Sequence, residues 1–154
     1  MKKRSLWIAL LGGILLFIPD VMGAQTSVQL QAVVVPSPTL RVKNKPRFGS
    51  FSVGSEGGTV STSGETSGDV SYMGNAKPIK YVLKGEPKAS IQVTFSETIL
   101  NDGQSNTMKT SEESRGVVLN KKGKYKGKQA LLLHVKGGQK EGAYSGHMNI
   151  IFNY

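Results

Sequence analysis

The sequence predicts an all-β fold, a sandwich of antiparallel sheets. Short segments alternate between apolar and polar residues, Gly, Pro and Asn signals separate them, and no amphipathic helix of three turns follows residue 24. The clearest alternation closes the chain, where every second residue is apolar: Met148, Ile150, Phe152 and Tyr154. We therefore expect a half-buried strand over residues 146–154, with these four side chains on its apolar face.

Residues 1–24 have the pattern of a secretory signal peptide. Met1–Arg4 is basic, residues 5–18 form an apolar run, and small residues surround a cleavage point after Gly23 or Ala24. The run is short for a membrane span. We expect export through Sec to the periplasm, which leaves 130 of the 154 residues, a suitable length for one domain.

Composition limits what can hold this domain together. The chain has no cysteine, so sheet hydrogen bonds and apolar burial must stabilise it, or a partner must complete it. The net charge is +10 at pH 7, and it is still +8 without residues 1–24, which hold three basic residues and one acidic residue. This charge favours acidic surfaces, glycans or envelope lipids as neighbours.

Residues 25–36 predict a strand that Pro36 ends, because proline cannot donate a ladder hydrogen bond. One face of this strand carries Val28, Leu30, Ala32 and Val34. The segment either pairs with its own sheet or serves as a donor-strand extension that fills the sheet of another subunit. Residues 37–154 are then the sandwich domain.

The remaining elements follow from the same alternation. Strands are predicted at 39–43, 47–53, 69–73, 79–83, 89–95 and 129–135, with short apolar or strand-like pieces at 57–62 and 117–119. Turn signals occur at Asn44–Pro46, Gly85–Pro87 and Asn101–Gly103. Residues 104–116 are polar and predict a loop or a short helix, and 121–128 predict a basic turn.

No catalytic constellation is visible. A cysteine nucleophile is impossible, Ser145 lies outside a Gly-x-Ser-x-Gly elbow, and no Gly-rich phosphate loop leads into a helix. His134 and His147 fall on different strands and lack metal-ligand spacing. We therefore expect neither an enzyme nor a cofactor.

The basic turn is a candidate anion-binding site. It consists of Lys121, Lys122, Lys124, Tyr125, Lys126 and Lys128. These lysines could hold phosphate, sulfate or sugar acids, and Tyr125 could stack on a sugar or base. Alternatively, the lysines line a solvated hairpin and prevent edge-to-edge aggregation.

Several blocks resemble known families. Ala32–Pro36, Phe48-Gly49, Gly57–Val60 and the closing Gly-Ala-Tyr-Ser-Gly are similar to a family of small secreted bacterial domains of unknown function, across nearly the whole mature chain. The outline also resembles the cysteine-free alpha class of chaperone–usher fimbrial subunits. This resemblance implies an incomplete immunoglobulin-like sandwich, finished by a periplasmic chaperone or a neighbouring subunit. Tyr154 departs from the pilin pattern, whose aromatic residue is commonly penultimate.

Two functions follow as expectations. The first is a structural subunit of a surface fimbria or related assembly, with residues 28–34 as the donated strand and 148–154 as the edge strand. Its partners would be like subunits or other fimbrial subunits, a periplasmic chaperone and an outer-membrane usher. The protein would be located at the cell surface or in the fimbrium. The alternative is a stand-alone secreted module that grips anionic glycans or envelope lipids through residues 121–128. Nucleic acid is not an expected partner.

Overall fold

The computed structural model of the protein describes residues 31–154, and this part of the chain is all-β, as the sequence predicts. It contains no helix, and hence none that could cross a bilayer. The strands are β1 (Thr39–Val42), β2 (Ser50–Ser61), β3 (Thr66–Gly74), β4 (Ile79–Lys84), β5 (Ser90–Phe95), β6 (Ile99–Asn101), β7 (Thr107–Thr110), β8 (Glu113–Val118), β9 (Lys124–Gln129), β10 (Leu132–Lys136) and β11 (Ile150–Asn153).

These strands form three antiparallel sheets. Their orders are β1-β4-β9, β3-β2-β10-β7-β6 and β11-β5-β8. The first and third sheets have three strands each and the second has five. The arrangement is consistent with a β-sandwich, while the immunoglobulin-like strand order stays a prediction.

The first hydrophobic core joins the two three-stranded sheets. It takes every second residue of β4 and β5, as expected for strands with one buried face. Its strand members are Ile79, Tyr81 and Leu83 on β4, Ile91, Val93 and Phe95 on β5, and Val117 on β8. Tyr81 and Phe95 meet edge to face with ring centroids 5.6 Å apart.

Tyr81 also explains a glycine in the neighbouring strand. Tyr81 pairs with Gly127 of β9, and a Cβ atom at Gly127 would lie 2.2 Å from Cζ of the tyrosine ring. The ring therefore occupies the space of the missing side chain. Its hydroxyl is buried without a hydrogen-bond partner. Burial raises the pKa of Tyr81, and Tyr125 raises it further.

A second hydrophobic cluster lies on the five-stranded sheet alone. Its buried members are Val60, Val70, Met108, Leu133 and Val135, and all five belong to strands of that sheet. Among the apolar side chains that pack against them, only Phe48 and Tyr144 come from outside the sheet. No second sheet is therefore built over this face by residues 31–154.

The structure corrects the predictions for residues 104–128. Residues 121–128 are predicted to be a basic turn, but only their start is a turn and β9 begins at Lys124. Three lysines alternate there with Tyr125 and Gly127, which is the period of a strand. The predicted loop or helix at 104–116 is wrong as well, since it contains β7 and most of β8.

We predict that Gly127→Ala lowers the free energy of unfolding by about 1–3 kcal/mol, because the new methyl group must displace the Tyr81 ring. Gly116→Ala in β8 is the matched control. Its Cβ atom would meet only Gln92 Oε1, at 3.5 Å, so its stability should stay within about 0.5 kcal/mol of the parent. Urea unfolding measures both, and equal losses would contradict the packing argument.

We expect Tyr81→Phe to raise the free energy of unfolding by about 1 kcal/mol, because it removes a buried hydroxyl that has no partner. The raised pKa of Tyr81 adds a pH signature. The folded protein keeps the proton where the unfolded chain loses it, so this contribution is complete below about pH 10 and declines above it. Urea unfolding between pH 8 and 11 should show that decline in the parent more than in the variant. A variant less stable than the parent would refute the claim that the buried hydroxyl is destabilising.

Candidate functional site

A groove with both polar and apolar lining residues runs along one face of the five-stranded sheet. Its volume is about 1150 Å³. One wall is residues 46–53 and the other lies within residues 139–148. The floor is made of Thr98, Leu100, Met108, Thr110, Leu131 and Leu133. We call this feature the groove.

The first wall is fixed on its outer side and free on its inner side. Arg47 exchanges backbone hydrogen bonds with Lys77, at 2.9 and 2.8 Å, and Phe48 packs against both cores. Residues Ser50–Val53 pair with β3, whereas β10 begins to pair with β2 only at Gly57. Within residues 31–154, the second backbone edge of Ser50–Val53 therefore has no strand partner.

The second wall is held by a folded loop and a short bridge. The Tyr144 hydroxyl donates to the Lys140 carbonyl oxygen at 2.8 Å and accepts from the Gln139 side-chain amide at 2.9 Å. Ser145 then exchanges backbone hydrogen bonds with Asn101, each 2.9 Å long. Gly146 follows, where a Cβ atom would lie 2.6 Å from the Ile99 carbonyl oxygen, so only glycine allows this close approach.

The polar groups of the floor are satisfied inside the fold. The Thr110 hydroxyl accepts a hydrogen bond from the Thr98 N–H at 2.9 Å and donates to the Thr98 carbonyl oxygen at 3.4 Å. Both threonines are buried. The floor is therefore closely packed, and Leu100 is its only half-buried member, since the other five residues are buried.

The predicted closing-strand residues divide into two groups. Met148, Ile150 and Phe152 are half-buried and pack against the first core. Tyr154 lies after β11 and is 47% exposed; its hydroxyl donates to the Pro36 carbonyl oxygen at 2.7 Å and accepts from the Glu86 N–H at 3.1 Å. The strand is shorter than the predicted 146–154, because the segment leaves the ladder at Gly146–Asn149.

The closing strand also has an open edge. β11 pairs with β5 from Ile150 to Asn153, and within the described part of the chain its other edge has no strand partner. Met148 lines the groove two residues before this strand begins. No residue of β11 itself lines the groove.

Only two of the four predicted donor residues lie in the described part of the chain. Val28 and Leu30 fall outside the described residues. Ala32 and Val34 lie outside any strand and are exposed, with Val34 at 95%. The structure thus gives no partner in residues 34–154 that buries Val34.

The structure separates Tyr125 from the lysines of the candidate anion site. Lys121 and Lys122 lie in the turn before β9, and Lys124, Lys126 and Lys128 are exposed on that strand. Tyr125 packs against the first core instead, with its ring 6.2 Å from that of Tyr81. Stacking of Tyr125 on a ligand held by these lysines does not fit this geometry.

The two histidines have separate surroundings. His134 Nε2 is 2.7 Å from the Ser111 hydroxyl, and His147 is exposed beside the groove wall. Residues 31–154 contain no group of three or more His, Asp or Glu side chains placed to hold a metal ion.

No protein-family model, curated protein or solved structure matches this chain significantly. The function proposed below therefore rests on the geometry of residues 31–154 and on the pattern of the sequence before them. Sequence reasoning did not predict the groove, because the unpaired edge beside it depends on how distant strands pair. The register of that pairing is not visible in a single segment.

Asp102 organises the loop that carries the Asn101–Ser145 bridge. Its carboxylate accepts hydrogen bonds from the Asn106 side chain at 2.6 Å and from the N–H groups of Gln104 and Asn106 at 2.8 and 3.1 Å. The Asn106 side chain contributes most to lowering the pKa of Asp102.

We predict that this loop loosens in acid. Because the pKa of Asp102 is lowered, its contribution is present above the ordinary value of 3.8 and is lost as the pH falls through the folded value. An NMR titration should give an Asp102 carboxyl pKa below 3.8, with the amide signals of Gln104 and Asn106 moving together. Titration at the ordinary value, or independent amide shifts, would contradict the assignment.

Proposed function

We propose that this protein is a structural subunit of a bacterial surface fimbria or related secreted assembly, joined to its neighbours by β-strand donation. The observation that carries the proposal is the groove, which lies on a sheet face that no second sheet of residues 31–154 covers, beside the unpaired edge of Ser50–Val53. A strand from another subunit would lie in the groove and pair with that edge.

The groove suits a strand better than a small molecule. Open backbone edges present rows of N–H and C=O groups that another strand can pair with. Strand addition uses these main-chain hydrogen bonds for affinity and alternate side chains for specificity. Within residues 31–154, Ser50–Val53 supplies such an edge beside the groove, and the outer edge of β11 is another.

The occupant we propose is residues 28–34 of a second copy. Their apolar side chains recur at every second position, which spaces them by about 6.8 Å on one face of an extended strand. The floor and walls offer half-buried apolar surface from Phe51 and Leu100. The 95% exposure of Val34 agrees with an anchor that is not used in its own domain.

The path of the chain favours donation to another molecule. The Tyr154–Pro36 hydrogen bond places Pro36 at the far end of β11. A segment that led into Pro36 alongside β11 of the same molecule would have to run parallel to it. A second copy could supply the strand antiparallel, and antiparallel pairing is slightly more stable per residue.

Before assembly, the open strand edges would need protection. Unpaired strand edges promote aggregation. A periplasmic chaperone that holds the segment around Met148, Ile150 and Phe152, and an outer-membrane usher that exchanges it for a neighbour, are the partners this proposal implies. The location is the periplasm first, then the cell surface or fimbrium.

A complementation experiment tests the proposal with two variants of the chain from residue 25. The donor variant carries Val28→Asp, Leu30→Asp and Val34→Asp. The acceptor variant carries Val53→Asp in the groove wall. Because each variant lacks one half of the contact, each alone should remain a monomer, whereas an equal mixture refolded together should form a heterodimer that grows no further.

Matched controls separate this contact from general effects of charge. Gln29→Asp, Gln31→Asp and Val33→Asp place the same charges on the opposite face of the extension. Val118→Asp places one on β8, where the valine is 62% exposed. Both controls should assemble like the parent in light scattering. Two monomers in the mixture, or a parent that refolds to a stable monomer with no tendency to associate, would refute strand donation.

A further inference from the structure

The outer face of the sheet β1-β4-β9 is a dense field of positive charge. The strand register aligns its exposed positions in three rows across the sheet. The rows are Thr39–Lys84–Lys124, Arg41–Val82–Lys126 and Lys43–Lys80–Lys128. The third row continues the register beyond β1, where the Lys43 N–H donates to the Lys80 carbonyl oxygen at 2.8 Å. We call these nine positions the cationic face.

Seven of the nine positions are lysine or arginine and none is acidic. All seven basic side chains are exposed. Among residues 31–154 the only ion pair is Lys109–Glu97, which lies on other elements. The charges of the cationic face are therefore not neutralised by side-chain ion pairs within the described part of the chain.

Protection of a strand edge does not explain this arrangement. Lysines on an edge strand such as β9 discourage pairing with other chains. Lys80 and Lys84, however, lie on β4, the central strand of the sheet. They stand directly opposite Lys128 and Lys124, and like charges in directly opposed pairs destabilise a sheet. A binding function would account for retaining them.

We propose that the cationic face binds a linear polysaccharide that carries sulfate or carboxylate groups. Adjacent rows lie about 6.8 Å apart along the strands and neighbouring strands about 4.8 Å apart. This grid can contact several anionic groups of one extended polymer at once. The same residues border a shallow recess of about 800 Å³, which gives the polymer a surface rather than an enclosed pocket.

The side chains on this face favour a glycan over a membrane or a nucleic acid. Single-stranded nucleic acid is held by aromatic stacking as well as charge, and none of the nine positions is aromatic; Tyr125 packs against the core. Stable docking on a bilayer uses apolar side chains that enter it. Here Val82 is the only apolar member, and it is half-buried.

This site is independent of strand donation. The groove and the cationic face share no lining residue, and they lie on different sheets. The site also differs from the basic turn expected from sequence, because it adds Arg41, Lys43, Lys80 and Lys84 and does not include Lys121 or Lys122.

Two charge-matched double variants of the intact protein test the proposal, with heparin as the probe. The face variant carries Lys80→Gln and Lys84→Gln, and the turn variant carries Lys121→Gln and Lys122→Gln. We expect the face variant to bind heparin about tenfold more weakly at moderate salt. The slope of log affinity against log salt should also become shallower by about two, since two counterion-releasing contacts are lost. The turn variant should change the affinity less than about twofold.

Three results would overturn the proposal: equal losses in both variants, no loss in the face variant, or tighter binding to duplex DNA or to anionic phospholipid vesicles than to heparin. Lys124→Gln with Lys128→Gln, on the neighbouring strand, is a second face variant and should reproduce the first. Thermal unfolding checks the fold, and the first face variant should be at least as stable as the parent, because it relieves like-charge repulsion.

Discussion

The apolar face of the five-stranded sheet, over which residues 31–154 build no second sheet, is the constraint on which the rest of the architecture depends. The first core is closed because β4 and β5 bring apolar faces of two sheets together. The second cluster has buried residues from one sheet only, with Phe48 and Tyr144 as partial cover. Burial of one large aliphatic side chain contributes about 1.5–3 kcal/mol, and the five buried members of this cluster are only 0–7% exposed, so the chain itself already supplies that stability.

Two backbone bridges hold the segments beside this face. Arg47 and Ser145 are each fixed by a reciprocal pair of backbone hydrogen bonds to a neighbouring segment. These bonds hold both segments in position, while within residues 31–154 the second edge of Ser50–Val53 remains unpaired. This unpaired edge lies beside the groove, and the proposed strand donation would use both features.

Sequence reasoning predicted what is local. Alternation identified β4 and β5, and it placed Met148, Ile150 and Phe152 toward the core, because period two is visible within one segment. It missed β9, since Gly127 offers no apolar side chain there and the space is filled by Tyr81 from another strand. It missed the cationic face because that feature also depends on a neighbouring strand. Lys80 and Lys84 look like the polar half of an ordinary strand until the register places them opposite Lys128 and Lys124.

The two proposed surfaces would reinforce each other. An assembly built by strand donation repeats each subunit at a regular interval, so it also repeats the cationic face. A single face held by exposed charges binds weakly in salt, because counterions compete for the anionic groups. Many faces on one filament that contact one polymer convert later contacts into intramolecular ones, which raises the apparent affinity without any new contact per subunit. Charge would then matter most in the assembled state, where a basic subunit can hold an acidic polymer along its length.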